Sequence, residues 1–129
     1  MARGIAQIGK DTYKTHIEVG GHALVGDEPE RNGGANTGPA PYDFLLAGLG
    51  ACTAITLRMY ADRKQWPLDA VEVALHLTHG DDKSLLIRRD LKFTGALDAG
   101  QKRRVAEIAE KTPVTLTLKA GIRIDTTIA

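Results

Sequence analysis

GGANTGPAPYDFLLAGLGACTAITLRMYADRK, residues 33–64, decides how the rest of this chain must fold. Proline suits the first position of a helix and Asp43 sets a carboxylate in the first turn, where the helix dipole favours it, so a helix is predicted from near Pro41 to about Lys64 or Gln65. At 1.5 Å per residue such a helix is roughly 35 Å long. From Phe44 to Leu57 it is apolar or small on every side, interrupted only by Thr53 and Thr56. A helix without a polar face must be covered all round. One small sheet covers one side, and a second copy of the chain is the simplest source of the remaining cover. The small residues Ala47, Gly48, Gly50, Ala51 and Ala54 suit either two such helices in close approach or tight packing on a sheet.

Outward from this helix the pattern is of strands and short helices. Arg3–Ile8 and Tyr13–Val19, separated by the turn residues Gly9-Lys10-Asp11, read as an opening hairpin. After Gly20-Gly21, His22–Val25 reads as a bulged continuation or a third short strand. Residues Gly26–Pro41 carry no periodicity and form a loop. Beyond Trp66-Pro67, Val71, Val73, Leu75 and Leu77 alternate with Glu72, Ala74, His76 and Thr78 as a half-buried strand, and Leu85–Thr94 is its partner across a His79–Asp82 turn. Arg89 shares the parity of Ile87, Leu91 and Phe93, which marks either a bulge or a buried charge with a purpose. Asp98 caps an amphipathic helix running to about Lys111, Thr112-Pro113 opens a short helix over Val114–Lys119, and Ile122, Ile124 and Thr126 alternate into a terminal strand. The expected architecture is a single α+β domain over residues 1–129, in two layers, a strongly bent antiparallel sheet and helices.

Composition excludes several functions. With 17 basic and 16 acidic residues dispersed along 129, no basic patch points to nucleic acid or an anionic membrane. The opening MARGIAQIGKDT lacks an apolar leader core, and the run Phe44–Leu57 falls short of a membrane span, so a soluble cytoplasmic protein is expected. His16, His22, His76 and His79 lack the spacing of a metal site, and no metal or other cofactor is expected. The glycines at 33, 34 and 38 precede no Gly-Lys-Ser/Thr, and the only serine, Ser84, sits in a turn, so neither a phosphate loop nor a serine nucleophile is indicated.

One cysteine, Cys52, remains. A single thiol forms no internal disulfide and is either packing or a reactive group. Reactivity requires a cation, a donor or a helix N-terminus nearby, and its own helical neighbourhood offers none. Asp43, nine residues upstream, points to the opposite side of a straight helix about 13 Å away along the axis, so it meets Cys52 only across a pair of helices.

Residues 38–55, GPAPYDFLLAGLGACTAI, resemble the central-helix motif of the OsmC/Ohr family, the osmotically inducible and organic hydroperoxide resistance proteins, and the order of elements fits over nearly the full length. The resemblance implies the OsmC-like fold: an intertwined homodimer whose sheets wrap two long central helices. It also implies a stress-response thiol peroxidase, in which a peroxidatic cysteine attacks an organic hydroperoxide, a second cysteine resolves it, and dithiols regenerate it. Cys52 matches the first cysteine. Thr112 stands where the second belongs, so a sulfenic acid on Cys52 requires an external thiol reductant. Asp43 matches an acidic residue that orients a cysteine-activating arginine; Arg3, Lys10 and Arg31, all N-terminal, do not fall in register with that arginine, and which of Arg3, Lys10, Arg31 and Arg89, if any, activates Cys52 stays open. The expected catalytic set is Cys52, Asp43 and Thr112. Two other readings stay open: an inactive dimer that binds a small hydrophobic ligand at its interface cleft, and a fold with no small-molecule partner.

Overall fold

The computed structural model describes all 129 residues, which form two compact units, residues 1–45 and 46–129. In the first unit, strands β1 (Gly4–Gln7), β2 (Thr15–Val19) and β3 (His22–Gly26) make an antiparallel meander in the order β1-β2-β3. Gly20 and Gly21, both at positive φ, make the tight turn between β2 and β3, so residues 22–26 are a third strand and not a bulged continuation.

The loop that follows is organised by Asp27. This residue is 3% exposed, and its carboxylate accepts from the Tyr13, Glu28 and Thr37 amides and from the Thr37 hydroxyl at 2.6 Å. The hydrogen bonds from Thr37 chiefly, with those from the Glu28 and Tyr13 amides, hold its carboxyl far below the ordinary carboxylate range.

Helix α1 (Pro41–Lys64) has the expected bounds and begins in the first unit. Its 24 residues, more than the run Phe44–Leu57 alone, are long and apolar enough to cross a membrane by length and composition. The core helix of a globular protein passes the same test, and Leu49, Thr53, Leu57 and Ala61, spaced by four, form a stripe buried in the second unit. Only 22% of the apolar window is buried, and Leu45, Ile55 and Met59 remain exposed.

Strands β4 (Leu68–His79) and β5 (Leu85–Gly95) pair as a long antiparallel ribbon. Helix α2 (Ala99–Ala109) starts with a full capping box between Asp98 and Gln101. Helix α3 (Pro113–Ala120) starts with Thr112 as N-cap and proline in the first turn. The core of this unit joins Leu57, Val105 and Ala109 to Trp66, Val71, Leu91, Phe93 and Ile108, with Ala61, Leu68 and Leu97 beside it.

Two expectations change in detail. The α+β class stands, but the strands form separate three- and two-stranded sheets and not one bent sheet. Residues 121–129 form no strand, and Ile122, Ile124 and Ile128 are exposed. Alternation makes a segment able to pair, but a strand exists only where an edge accepts its backbone, and neither sheet of this chain pairs with that segment.

Candidate functional site

The site forms where α1 meets the start of α3. A helix beginning with proline leaves few free amides, and those of α3 can be accounted for one by one. Pro113 has none, the Thr115 amide donates to the Thr112 hydroxyl, and the Leu116 amide donates to the Thr112 carbonyl. The Val114 amide has no partner within its helix. It donates to the Cys52 sulfur at 3.5 Å. The thiol, half-buried, therefore closes the N-terminus of α3, where the aligned peptide dipoles favour negative charge. The donor that the local sequence did not supply arrives from 62 residues away.

Arg89 lies beside this contact. Its position is in regular register opposite Leu75, so no bulge explains it; the side chain is a largely buried charge, 11% exposed. Nη1 donates to the Thr53 hydroxyl at 3.0 Å and to the Thr115 hydroxyl at 2.8 Å; Nη2 donates to the Ala109 carbonyl at 2.9 Å. Ala109 ends α2, so the guanidinium meets one of the carbonyls that a helix C-terminus leaves unpaired. Glu110, 3.5 Å from Nη2, also takes Lys119 Nζ at 2.7 Å, and these cations, Lys119 foremost, hold its carboxyl below its ordinary value.

The threonines complete the network. Thr53 donates to the Leu49 carbonyl at 2.7 Å, the Thr112 and Thr115 hydroxyls are 2.6 Å apart, and Thr115 also reaches the Ala109 carbonyl. No buried side-chain nitrogen or oxygen lacks a partner.

Of the residues predicted for the site, Cys52 and the Thr112 turn are brought together. Thr112, wholly buried, spends its hydroxyl on Thr115 as the cap of α3. Asp43, in the first unit, is exposed and accepts from the Ala40 amide at 2.9 Å. Arg3, Lys10 and Arg31 also belong to the first unit. Sequence reasoning missed the Val114 amide, which any residue type would carry; the parity of Arg89 was a signal, but its partners were not.

The first unit carries a separate feature, an open apolar cleft of about 670 Å³ lined by Ile5, Ile8, Tyr13, Ile17, Leu24 and Phe44.

The family model described as OsmC-like protein matches residues 33–127. The chain belongs to this family. The match spans α1, the β4–β5 ribbon and both short helices, and thus all the groups around Cys52. The chain is similar in fold to the OsmC-like protein of Mycoplasma pneumoniae, with a TM-score of 0.78 and 17% identity over 92% of this chain and 87% of that one. It is similar to an organic hydroperoxide resistance protein OsmC from Legionella pneumophila, with a TM-score of 0.65 and 20% identity over 92% and 89% of the two chains. A third similar structure, with a TM-score of 0.64 and 17% identity over 92% and 84%, is an organic hydroperoxide resistance protein from Vibrio cholerae with captopril bound in one of its active sites. These identities carry the fold alone. A search of curated proteins by sequence gave no match.

Proposed function

We propose that this OsmC-like protein is a one-cysteine, thiol-dependent organic hydroperoxide reductase working through Cys52. The observation that supports this reading is the Val114 amide on the Cys52 sulfur at the N-terminus of α3, a donor suited to a thiolate. The thiolate attacks the outer peroxide oxygen, the O–O bond breaks, and the alkoxide leaves with a proton as an alcohol. Cys52 is then a sulfenic acid. With Thr112 in place of a second cysteine, one external thiol condenses with it to release water and leave a mixed disulfide. A second external thiol displaces the first as a disulfide and restores Cys52.

In this reading Thr112 serves by capping α3, and Asp43 takes part only when a second copy of the chain supplies it. The exposed apolar residues of α1 favour a homodimer, and the balanced charge favours a cytoplasmic setting away from nucleic acid and membranes. The test is consumption of cumene hydroperoxide with dithiothreitol by wild type and by Cys52→Ser. Loss of turnover in the variant, with two thiols oxidised per peroxide in wild type, supports the reading; equal rates overturn it.

The apolar cleft of the first unit favours a second reading, an inactive OsmC-fold dimer that holds a small hydrophobic ligand in a cleft at its interface. Saturable binding of a fluorescent fatty acid, unaffected by Cys52→Ser and accompanied by no peroxide consumption, would select it.

A further inference from the structure

We infer that Arg89 is a positioning residue for Cys52: from β5 it ties α1 to the first turn of α3, so that the Val114 amide stays aimed at the sulfur. The inference rests on Cys52 being the working thiol, as proposed above.

The two partners of the thiol contact sit on different elements, and each has a threonine immediately after it: Thr53 follows Cys52, and Thr115 follows Val114. A single nitrogen, Arg89 Nη1, donates to both hydroxyls, at 3.0 and 2.8 Å. One atom thus sets the separation of α1 and α3 one residue beyond the thiol contact. The second nitrogen holds the Ala109 carbonyl at the end of α2, so the guanidinium fixes both sides of the short link from which α3 starts.

Helix α3 needs such a tether. It has eight residues, too few for stability on its own, and three of them are β-branched. Its far end is held by Lys119 on Glu110, and its near end by the Thr112–Thr115 pair and Arg89.

The burial of Arg89 is costly as a device for stability alone. Apart from Glu110, 61% exposed, 3.5 Å away and shared with Lys119, its partners are neutral oxygens. A buried charge so arranged gains less than an apolar side chain of similar volume often would. What the planar, forked guanidinium does supply is fixed geometry among three elements. Arg89, Glu110 and Lys119 are the charged groups of this cluster, and none of them hydrogen-bonds the Cys52 sulfur.

Alkylation of Cys52 by iodoacetamide as a function of pH reads the thiol without requiring turnover. The variants are Arg89→Met, Thr115→Val, which keeps the Arg89 charge but cuts its tie to α3, and the double variant. Loss of the aimed amide moves the alkylation midpoint up by about one pH unit in each single variant. Below the midpoint the rate falls only about threefold, because a more basic thiolate is a better nucleophile. The double variant shifts no further than either single one. Arg58→Met removes a guanidinium that bonds Asp62 and the Leu68 carbonyl, and it leaves the midpoint in place.

Variants that melt earlier but keep the wild-type midpoint give Arg89 a structural role only and overturn the inference. A shift in Arg89→Met without one in Thr115→Val means that charge alone acts, and overturns it too. Where Arg89→Met fails to fold, Thr115→Val decides alone. Failure of the peroxidase reading appears separately, as equal peroxide consumption by wild type and Cys52→Ser.

Discussion

The Cys52 sulfur accepts the Val114 amide across 3.5 Å, joining the middle of the longest α-helix to the first turn of the shortest α-helix. Neither residue is unusual for its helix. The chemistry lies in their meeting, because a thiol that closes a helix N-terminus has a donor ready for its thiolate.

The turn that presents that amide depends on its cap. Thr112 caps α3 with a fully buried hydroxyl. Thr112→Ala is expected to lower the free energy of unfolding by about 1 kcal/mol in urea titrations, and Thr112→Ser to restore most of it. Equal stability of all three proteins would remove the capping role.

Acid tests the first unit. The carboxyl of Asp27 is held below its ordinary value of 3.8, so its contribution to stability is fully present above that pH. The contribution is lost as pH falls from there toward the lowered folded-state value. Wild type should therefore show a falling thermal midpoint below about pH 4. Asp27→Asn should start lower at pH 7 and lose less on acidification. Parallel pH profiles for the two proteins would contradict the hydrogen-bonded role assigned to this carboxylate.

Close backbone approach constrains the same loop. A Cβ on Gly34 would run into the Glu28 carbonyl, whereas one on Gly48 of α1 would meet nothing in its own chain. Gly34→Ala is expected to destabilise by about 1–3 kcal/mol. Gly48→Ala should stabilise a lone chain by about 0.5–1 kcal/mol, because alanine loses less backbone freedom in a helix. Chemical denaturation of the two variants measures both, and similar stabilities would show that the Gly34 loop yields.

The exposed face of α1 bears on assembly. Ile55 is 53% exposed and Met59 61% exposed on an apolar helix of which this chain buries one stripe. If two copies pair through this face, Ile55→Glu converts a dimer to a monomer in light-scattering chromatography, and Gly48→Ala loses the gain just described. An unchanged mass for Ile55→Glu would place any pairing elsewhere.

Local structure was legible in the residues alone. The Pro41 start of α1 and its end near Lys64, the alternation of β4 and β5, the Asp98 cap of α2 and the Thr112-Pro113 start of α3 all rest on rules that act within about one turn of helix or one pleat of strand. The motif around Cys52 also led to the family. What surrounds the thiol follows instead from the packing of segments far apart in the chain. Val114 lies 62 residues from Cys52, and Arg89 lies 36 from Thr53 and 26 from Thr115. No periodicity spans such distances, and the deciding donor is a backbone amide, invisible to any reading of side chains. The terminal strand failed for the complementary reason: Ile122, Ile124 and Thr126 alternate as a strand does, but pairing belongs to the edge that receives a segment and not to the segment alone.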